Sequence, residues 1–238
     1  MGRAHEVRAA SMAKTAAKKS KLYSIYAKEI FQAAKSNPDP ATNDILRRVI
    51  EKAKREQVPA DVIARNIEKV KKGTTESYDT VEYEAFAQGG SNLIIKCLTD
   101  NSNRTLSYLK TAFNKCGAKM ATQNSVSFMY DHFGVVGLKD KSEEDVMNAL
   151  ITGDVDVADI EVEEDITVVY TDVINLNNAK KALEDFFGEI VFEIDEISYF
   201  AKDTIKLNEE DEEKFKRLIS MLEEIDDVSD VYHNVELL

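Results

Sequence analysis

The clearest chemical signal in this sequence is a row of cations formed by Arg48, Lys52 and Arg55. Their spacing places the side chains along one side of a helix, where they can neutralise successive phosphates. Each phosphate contact releases condensed counterions, so such binding depends strongly on salt. No base-reading motif accompanies the row, and we therefore expect contacts to the nucleic-acid backbone rather than to particular bases. The predicted phosphate contacts are Lys14, Lys18, Lys19, Lys21, Arg47, Arg48, Lys52, Lys54, Arg55, Arg65 and Lys69.

The basic residues are concentrated at one end of the chain. Residues 1–72 contain 17 Lys and Arg against 8 Asp and Glu, whereas the remaining residues contain 14 against 36. A division of this size predicts nucleic acid as the partner of the basic segment and leaves basic proteins as candidate partners of the acidic remainder. The alternative, an ordinary solvated helix surface, stays open, although the surplus of cations favours nucleic acid.

Groups that usually perform catalysis or bind metals are dispersed. His5, His132 and His233 lie far apart, without a second histidine at helical spacing or a nearby cysteine. Cys97 and Cys116 lack metal-ligand spacing, and we expect both to be small buried apolar residues in a reducing cytoplasm. The chain has no phosphate-binding glycine loop and no apolar run near the roughly 18–20 residues of a membrane span. We predict a cytoplasmic protein that is not an enzyme, with no catalytic residue, metal or cofactor.

Apolar stripes place the basic segment on helices. Leu22–Ala33 and Ile45–Ala53 repeat apolar residues every three or four positions, the spacing of a helix with one buried face. The segment Ser36–Pro40 separates these two helices, and Pro59 favours the start of a third, which Gly73 would end. We expect the first 20 residues, which are rich in Ala, Lys, Ser and Arg, to form a mobile arm.

Beyond this segment, strand-like and helix-like stretches alternate, which predicts an α+β class with antiparallel-rich sheets. Strands are predicted at 83–87, 92–99, 126–130, 135–138, 157–162, 166–170, 190–197, 204–207 and 230–235, and helices at 103–115, 143–151, 178–187 and 209–225. The central βαββαβ run can form a unit inserted between two halves of another. We therefore predict a basic helical domain at 1–75, a discontinuous α+β domain at 76–131 plus 203–238, and an inserted α+β domain at 132–202.

One seven-residue segment resembles a known family. Thr99–Thr105, with the sequence TDNSNRT, is similar to the TDNxNRT signature of the YebC/PmpR family. The chain opens with Gly2–Glu6 where the family has a GHSKW-like opening, and it has no tryptophan, which resembles the YeeN-like branch. Further similarities are Asn43, Leu46, Ile50, Ala53, Lys54, Pro59, Ile63 and Arg65 upstream, and Asp226–Val228 and Val231–Asn234 downstream.

This resemblance implies a helical N-terminal domain, two α+β domains of which one is discontinuous, and one of two functions. The family includes proteins described as DNA-binding transcriptional regulators and proteins described as ribosome-associated translation factors, among them a mitochondrial translational activator of cytochrome oxidase. We predict a translation factor that binds ribosomal RNA, because a lysine-rich arm without base-reading side chains suits irregular RNA. A DNA-binding regulator is the alternative, and a protein-interaction module without nucleic-acid contact is a third possibility.

The motif loop itself has two interpretations. It joins a predicted strand to a predicted helix, so that Asp100, Asn101, Ser102 or Asn103 could cap the helix N-terminus. Arg104 would then stand in the first turn, where a cation opposes the helix dipole. Either the loop is a structural cap with a packed arginine, or its polar residues contact an anion or a ribosomal partner.

Overall fold

The computed structural model describes Arg3 and residues 19–237, which form two compact units. The first unit contains Arg3 and Tyr130–Phe200, and the second contains the described residues of 17–129 and 201–238. None of the helices in this described part has the length and apolarity that crossing a membrane requires.

Helices and strands alternate along the chain after three consecutive helices. The helices are α1 (Lys19–Ala34), α2 (Asp44–Arg55), α3 (Ala60–Lys71), α4 (Ser102–Cys116), α5 (Glu143–Thr152), α6 (Leu176–Phe187) and α7 (Glu209–Glu223). The strands are β1 (Asp79–Phe86), β2 (Asn92–Thr99), β3 (Lys119–Met120), β4 (Tyr130–Lys139), β5 (Asp159–Glu163), β6 (Ile166–Asp172), β7 (Phe192–Ala201) and β8 (Val228–His233).

Helices α1 to α3 form the basic part of the second unit. Their apolar stripes meet in one core, in which Ile30 and Leu46 are fully buried. Asn43 organises the break between α1 and α2. Its Oδ1 accepts a hydrogen bond from the Leu46 N–H at 3.1 Å, and its Nδ2 donates to the carbonyl of Ala33 at 2.9 Å.

Helix α1 begins before its apolar stripe does. Lys19 and Lys21 lie in its first turn, so these two residues belong to the helix and not to the arm predicted for them. A helical turn of Lys and Ser needs no buried side chain, because the propensity of these residues is adequate. Lys14 and Lys18, the other two cations predicted for the arm, lie outside the described residues.

The first sheet lies in the same unit, with the strand order β3-β1-β2-β8 and antiparallel pairing. Helices α4 and α7 pack on it around Leu109, Phe113 and Phe215. Gly117 ends α4 in the left-handed conformation, at φ 71°, which favours glycine at this position. The loop after β2 therefore leads directly into a helix that is anchored at both ends.

The second sheet forms the other unit, with the strand order β5-β6-β4-β7. Helices α5 and α6 cover one of its faces, where Leu138, Leu150 and Leu183 are buried. The opposite face carries a separate cluster that includes Phe133 and Tyr170, and no described helix contributes to it. We call this surface the open face of the second sheet because no described helix covers it, although side chains of its cluster such as Tyr170 and Val168 are buried.

Two of the predicted strands are absent from the structure. Where 126–130 was expected to be a strand, a 3-10 turn at Ser127–Met129 precedes β4. Val126 is buried, but its N–H donates to the carboxylate of Glu84 and not to a strand ladder. The segment 204–207 contributes only an isolated parallel bridge between Ile205 and Val235. Tertiary packing buries Val126 and partly buries Ile205. Strand-like composition cannot distinguish such packing from strand pairing.

The structure confirms the predicted α+β class, with a helical N-terminal region followed by two sheet-containing domains. The second sheet is built from residues between the two halves of the first, so the first sheet is discontinuous in sequence. The domain boundaries 1–75, 76–131 plus 203–238, and 132–202 stay a prediction.

Candidate nucleic-acid interface

The outward side of α2 is dominated by cations. Leu46, Ile50 and Ala53 are buried against the helical core. Among the side chains of α2 that the structure describes, the opposite side carries one carboxylate, that of Glu51. The structure therefore brings five of the predicted phosphate contacts onto one helix surface, half-buried or exposed. This surface, named here the α2 face, comprises Arg47, Arg48, Lys52, Lys54 and Arg55.

The position of these cations within α2 offsets their mutual repulsion. Lys52, Lys54 and Arg55 lie in the last turn, where positive charge interacts favourably with the helix dipole. Neither Lys52 nor Lys54 has a carboxylate partner among the residues that the structure describes. The α2 face thus combines a stable helix with positive charge, and the charges of Lys52 and Lys54 are available to a polyanion.

Arg65 and Lys69 of α3 differ from Lys52 and Lys54 of α2, because a described carboxylate pairs with each of them. Arg65 pairs with Asp61 at 2.8 Å, and both side chains are highly exposed. Lys69 forms an ion pair with Glu76, and its Nζ lies 5.7 Å from the ring centroid of Phe31. Exposed pairs of this kind are weak. They leave Arg65 and Lys69 able to exchange partners, but they lower the net positive charge of this surface.

The two described lysines at the start of α1 have unlike surroundings. Lys19 is exposed, whereas Lys21 is half-buried and its Nζ donates to the backbone carbonyl of Glu223 at the end of α7. Burial lowers the pKa of the Lys21 ammonium, although the carboxylates of Glu223 and Asp226 oppose the shift. Lys21 therefore holds α1 against α7, and the structure does not bring it onto the α2 face.

The motif loop caps α4. Asn101 Oδ1 accepts a hydrogen bond from the Arg104 N–H at 3.1 Å, and the Asn101 N–H donates to Thr99 Oγ1 at 2.9 Å. The side chain of Asp100 accepts from Arg104 Nη2 at 2.7 Å. Asn103 is exposed and makes no side-chain hydrogen bond within the described residues. The two sides of the loop thus differ, since one binds the chain itself and the other faces solvent.

Arg104 reaches past the loop to a buried carboxylate. Its Nη2 lies 2.8 Å from Asp227 Oδ2, and the side chain of Asp227 is only 4% exposed. Lys28 Nζ of α1 donates to Asp227 Oδ1 at 2.9 Å, and Thr105 Oγ1 lies 2.9 Å from Oδ2. We name this arrangement of Lys28, Arg104, Thr105 and Asp227 the Asp227 cluster. The carboxylate explains why an arginine stands in the first turn of α4 despite the helix dipole.

The electrostatics of the cluster favour the charged form of Asp227. Burial alone would raise the pKa of its carboxyl, but hydrogen bonds from Arg104, Lys28 and Thr105 outweigh burial and hold the pKa below its ordinary value. Lys28 Nζ also donates to the carbonyls of Leu98 and Asp226, at 3.2 and 3.0 Å. The cluster therefore joins α1, the end of β2, α4 and the loop before β8.

Sequence reasoning did not identify Lys28 or Asp227 as a site. The available signal was Arg104, because a cation in the first turn of a helix requires a compensating carboxylate. A groove of about 620 Å³ opens beside the cluster and is bordered by Tyr78, Tyr108 and Asp226. Lys28 and Arg104 line this groove and already bind Asp227, so neither cation needs an additional anion as its partner.

Other reactive groups lie in unreactive surroundings. Cys97 and Cys116 are buried free thiols. Burial, followed by the negative charge of Asp227, raises the pKa of Cys97 to about 12, which leaves it a thiol at neutral pH. Among the described residues, no three His, Cys, Asp or Glu side chains are grouped so that they could hold a metal ion.

Comparison with known proteins extends over nearly the whole chain. A family model described as "TACO1/YebC protein N-terminal domain" matches residues 3–73, and one described as "TACO1/YebC second and third domain" matches residues 78–235. A relative from Marinomonas sp. is 45% identical over 99% of this chain and 100% of its own length. A second, from Pseudoalteromonas translucida, is 46% identical over 98% of both chains, and each is named a probable transcriptional regulatory protein.

A solved structure has the same fold. The crystal structure of a conserved hypothetical protein from Aquifex aeolicus aligns with a TM-score of 0.76 and 31% identity, covering 94% of this chain and 93% of the other. The matched segments include the TDNSNRT loop on which the resemblance was based, while the YeeN-like branch stays a prediction. The chain therefore belongs to the TACO1/YebC family.

Proposed function

We propose that this protein is a non-enzymatic, cytoplasmic regulator of gene expression that binds nucleic acid through the α2 face, and that its target is ribosomal RNA on the ribosome. The observation that carries the proposal is the composition of that face, which has five cations and, among the described side chains of α2, one carboxylate. The names of the relatives support the regulatory part of the proposal.

The distribution of charge along α2 favours backbone contacts. Helices that read DNA in the major groove place base-contacting side chains near their N-terminus. The N-terminal positions of α2 are Asp44 and Ile45, and its cations begin only at Arg47. A helix of this kind binds phosphates by charge and carries little sequence information. This argues against an operator-specific DNA regulator.

The acidic remainder of the chain also favours a compact target over a long duplex. Residues 73–238 contain 36 Asp and Glu against 14 Lys and Arg. A long duplex would meet this negative surface beyond the short segment that the α2 face can contact, and like charges repel. An irregular RNA surface can present phosphates to α2 alone.

A competition experiment tests the choice of target. Labelled full-length protein is bound to purified ribosomes at physiological salt, and the competitors are a promoter fragment recovered by crosslinking in cells and the same fragment with its sequence shuffled. We expect both DNA fragments to compete equally and weakly. If the promoter competes at nanomolar concentration and the shuffled DNA does not, the protein is a sequence-specific DNA regulator and the ribosomal proposal is wrong.

The relatives' names favour the DNA-binding regulator as the second candidate. A protein-interaction module, in which the acidic domains bind basic proteins, is the third. Nuclease treatment distinguishes this third function from the other two. If the protein binds basic proteins and not nucleic acid, its association with ribosomes survives both nuclease treatment and charge reversal on the α2 face.

A further inference from the structure

The edge strand β5 presents two carboxylates to the open face of the second sheet. Asp159 pairs in register with Tyr170 of β6, and Glu161 pairs with Val168. Residues opposite one another in a sheet share a face, so both carboxylates lie beside the aromatic and aliphatic cluster of the open face. Ile160, between them, packs toward the helices on the other side.

A guanidinium group occupies this position. Arg3 Nε donates to Glu161 Oε1 at 3.0 Å, and Arg3 Nη2 donates to Asp159. The Arg3 Cζ lies 4.8 Å from the ring centroid of Tyr170 and 5.8 Å from that of Phe133. Two carboxylates therefore bind the edge of the guanidinium group while two aromatic rings lie near it.

These contacts select arginine over lysine. A guanidinium group has donors in a fixed plane, which can satisfy two carboxylates at once while its face contacts an aromatic ring. An ammonium is a compact charge that cannot span both carboxylates and the rings in the same way. Asp159 and Glu161 would repel each other without a cation between them, and the strand that carries them is paired to β6 along its length.

We propose that the open face of the second sheet is a guanidinium-binding site whose occupant is Arg3 of the protein's own N-terminal segment. The site attaches the start of a basic segment, which also contains Arg8, Lys14 and Lys18 in its sequence, to a unit rich in carboxylates. This inference does not depend on the nucleic-acid function, because its residues and its test involve only this chain.

Nuclear magnetic resonance of arginine side chains tests the site in the full-length protein. The Arg3 Nε–H signal is assigned by its loss in Arg3→Lys. We expect a signal displaced from that of free arginine, because the Nε–H donates to Glu161 and the group lies near the ring of Tyr170. The signal should return to the position of free arginine in the double variant Asp159→Asn/Glu161→Gln. The control Glu209→Gln/Glu213→Gln removes the same charge from α7 and should leave the signal in place. A free-arginine signal in the unmodified protein would overturn the proposal.

A second experiment supplies the occupant in trans. The Arg3→Ala protein is titrated with a synthetic peptide of residues 1–10, and with the same peptide carrying Arg3→Lys or Arg8→Lys. We expect the Arg3→Lys peptide to bind about tenfold more weakly than the original, because the Arg3 guanidinium group contacts both carboxylates. The Arg8→Lys peptide is the matched control and should bind as the original does. Equal binding of all three peptides would contradict the proposal.

Dilution distinguishes the protein's own Arg3 from that of a second copy. We expect the shifted Arg3 signal to be independent of protein concentration, as an intramolecular contact requires. A signal that returns to the free position on dilution would show that Arg3 of another chain fills the site, and the assignment to the protein's own N-terminal segment would be wrong.

Discussion

The α2 face and the Asp227 cluster both contain lysine and arginine side chains, but the surroundings of these cations differ. In the cluster, Lys28 and Arg104 meet one carboxylate that is 4% exposed, and both cations also bind further oxygen atoms of the chain. On the α2 face, Lys52 and Lys54 have no carboxylate partner among the described residues, and a single glutamate shares their surface. One group of cations is bound within the fold, and the other is positioned to bind something else.

This difference shows that a charged residue in a specific sequence motif is not thereby available to bind a partner. Arg104 belongs to the family signature, yet the structure gives it two carboxylates of its own chain. The cations of α2 have no comparable signature, yet two of them, Lys52 and Lys54, have no carboxylate partner among the described residues. Burial and pairing therefore identify the candidate interface better than motif membership does.

The largest effect is expected from the buried carboxylate. Asp227→Ala should lower the free energy of unfolding by about 3 kcal/mol, because Arg104 and Lys28 lose the charge that compensates them and Thr105 loses a hydrogen bond. Urea unfolding followed by circular dichroism measures the change. The control is Asp226→Ala, since this exposed neighbour contacts Lys28 only through its backbone carbonyl.

The control should change stability by less than about 0.5 kcal/mol, as surface substitutions usually do. Equal losses in the two variants would mean that the Asp227 cluster contributes no more than an exposed charge, and the distinction between the two groups of cations would fail.

The next effect concerns binding through the α2 face. The triple variant Arg48→Ala/Lys52→Ala/Arg55→Ala should make the negative slope of log K against log salt for a defined RNA shallower by about two to three units. A change in slope of this size corresponds to roughly hundredfold weaker binding of the RNA at physiological salt. Alanine retains helix propensity, so thermal unfolding should change little.

A matched triple variant, Lys110→Ala/Lys115→Ala/Lys119→Ala, removes the same charge from exposed positions of the first sheet domain. It should keep the original salt slope. If the two triple variants weaken RNA binding equally, net charge alone governs the interaction, and the α2 face is an ordinary solvated surface.

Many features of the α2 face and of the motif loop could be predicted from local sequence patterns. The 3.6-residue period of α2 places Arg48, Lys52 and Arg55 on one side, and β2 has the predicted bounds Asn92–Thr99. The Asn101 cap of α4 was predictable because asparagine is a preferred residue directly before a helix. What a local pattern could not provide is the bond between Lys28 and Asp227, which joins residues 199 positions apart in sequence.

The predictions that were wrong, for Lys21 and for the strands at Val126 and Ile205, failed for the same reason. Lys21 resembles an exposed cation in sequence, but the end of α7 covers it. Val126 and Ile205 resemble strand residues, although packing from elsewhere in the chain buries them or shields them in part. In each case the deciding contact comes from a distant part of the chain, so composition within a window of a few residues could not supply it.

A smaller effect is expected in the pH dependence of stability. The pKa of Asp227 is lowered in the folded protein, so its charged form stabilises the fold fully above the unfolded-state pKa of about 3.9 and ceases to do so as pH falls through the folded value. The stability difference between the wild-type protein and Asp227→Asn should therefore be constant at neutral pH and narrow below about pH 4. Urea unfolding at a series of pH values measures this. A difference that stays constant down to pH 3 would contradict the assignment.

The smallest effect is expected from the exposed pair on α3. Arg65 and Asp61 lie at i,i+4, with 74% and 71% of their side chains exposed. Water screens such a pair and two mobile side chains must be ordered to form it, so their coupling energy should be about 0.3–0.5 kcal/mol. A double-mutant cycle with Arg65→Ala and Asp61→Asn measures this coupling.

The single variants of this cycle should also be unequal. Asp61 lies in the first turn of α3, where a carboxylate interacts favourably with the helix dipole, so Asp61→Asn should destabilise the protein more than Arg65→Ala does. If the coupling energy instead approached the loss of about 3 kcal/mol expected for Asp227→Ala, an exposed pair would be as strong as a buried one. Exposure would then not distinguish cations bound within the fold from cations available to a ligand. The pairing of Arg65 would then exclude it from a nucleic-acid interface, because a phosphate could not displace Asp61.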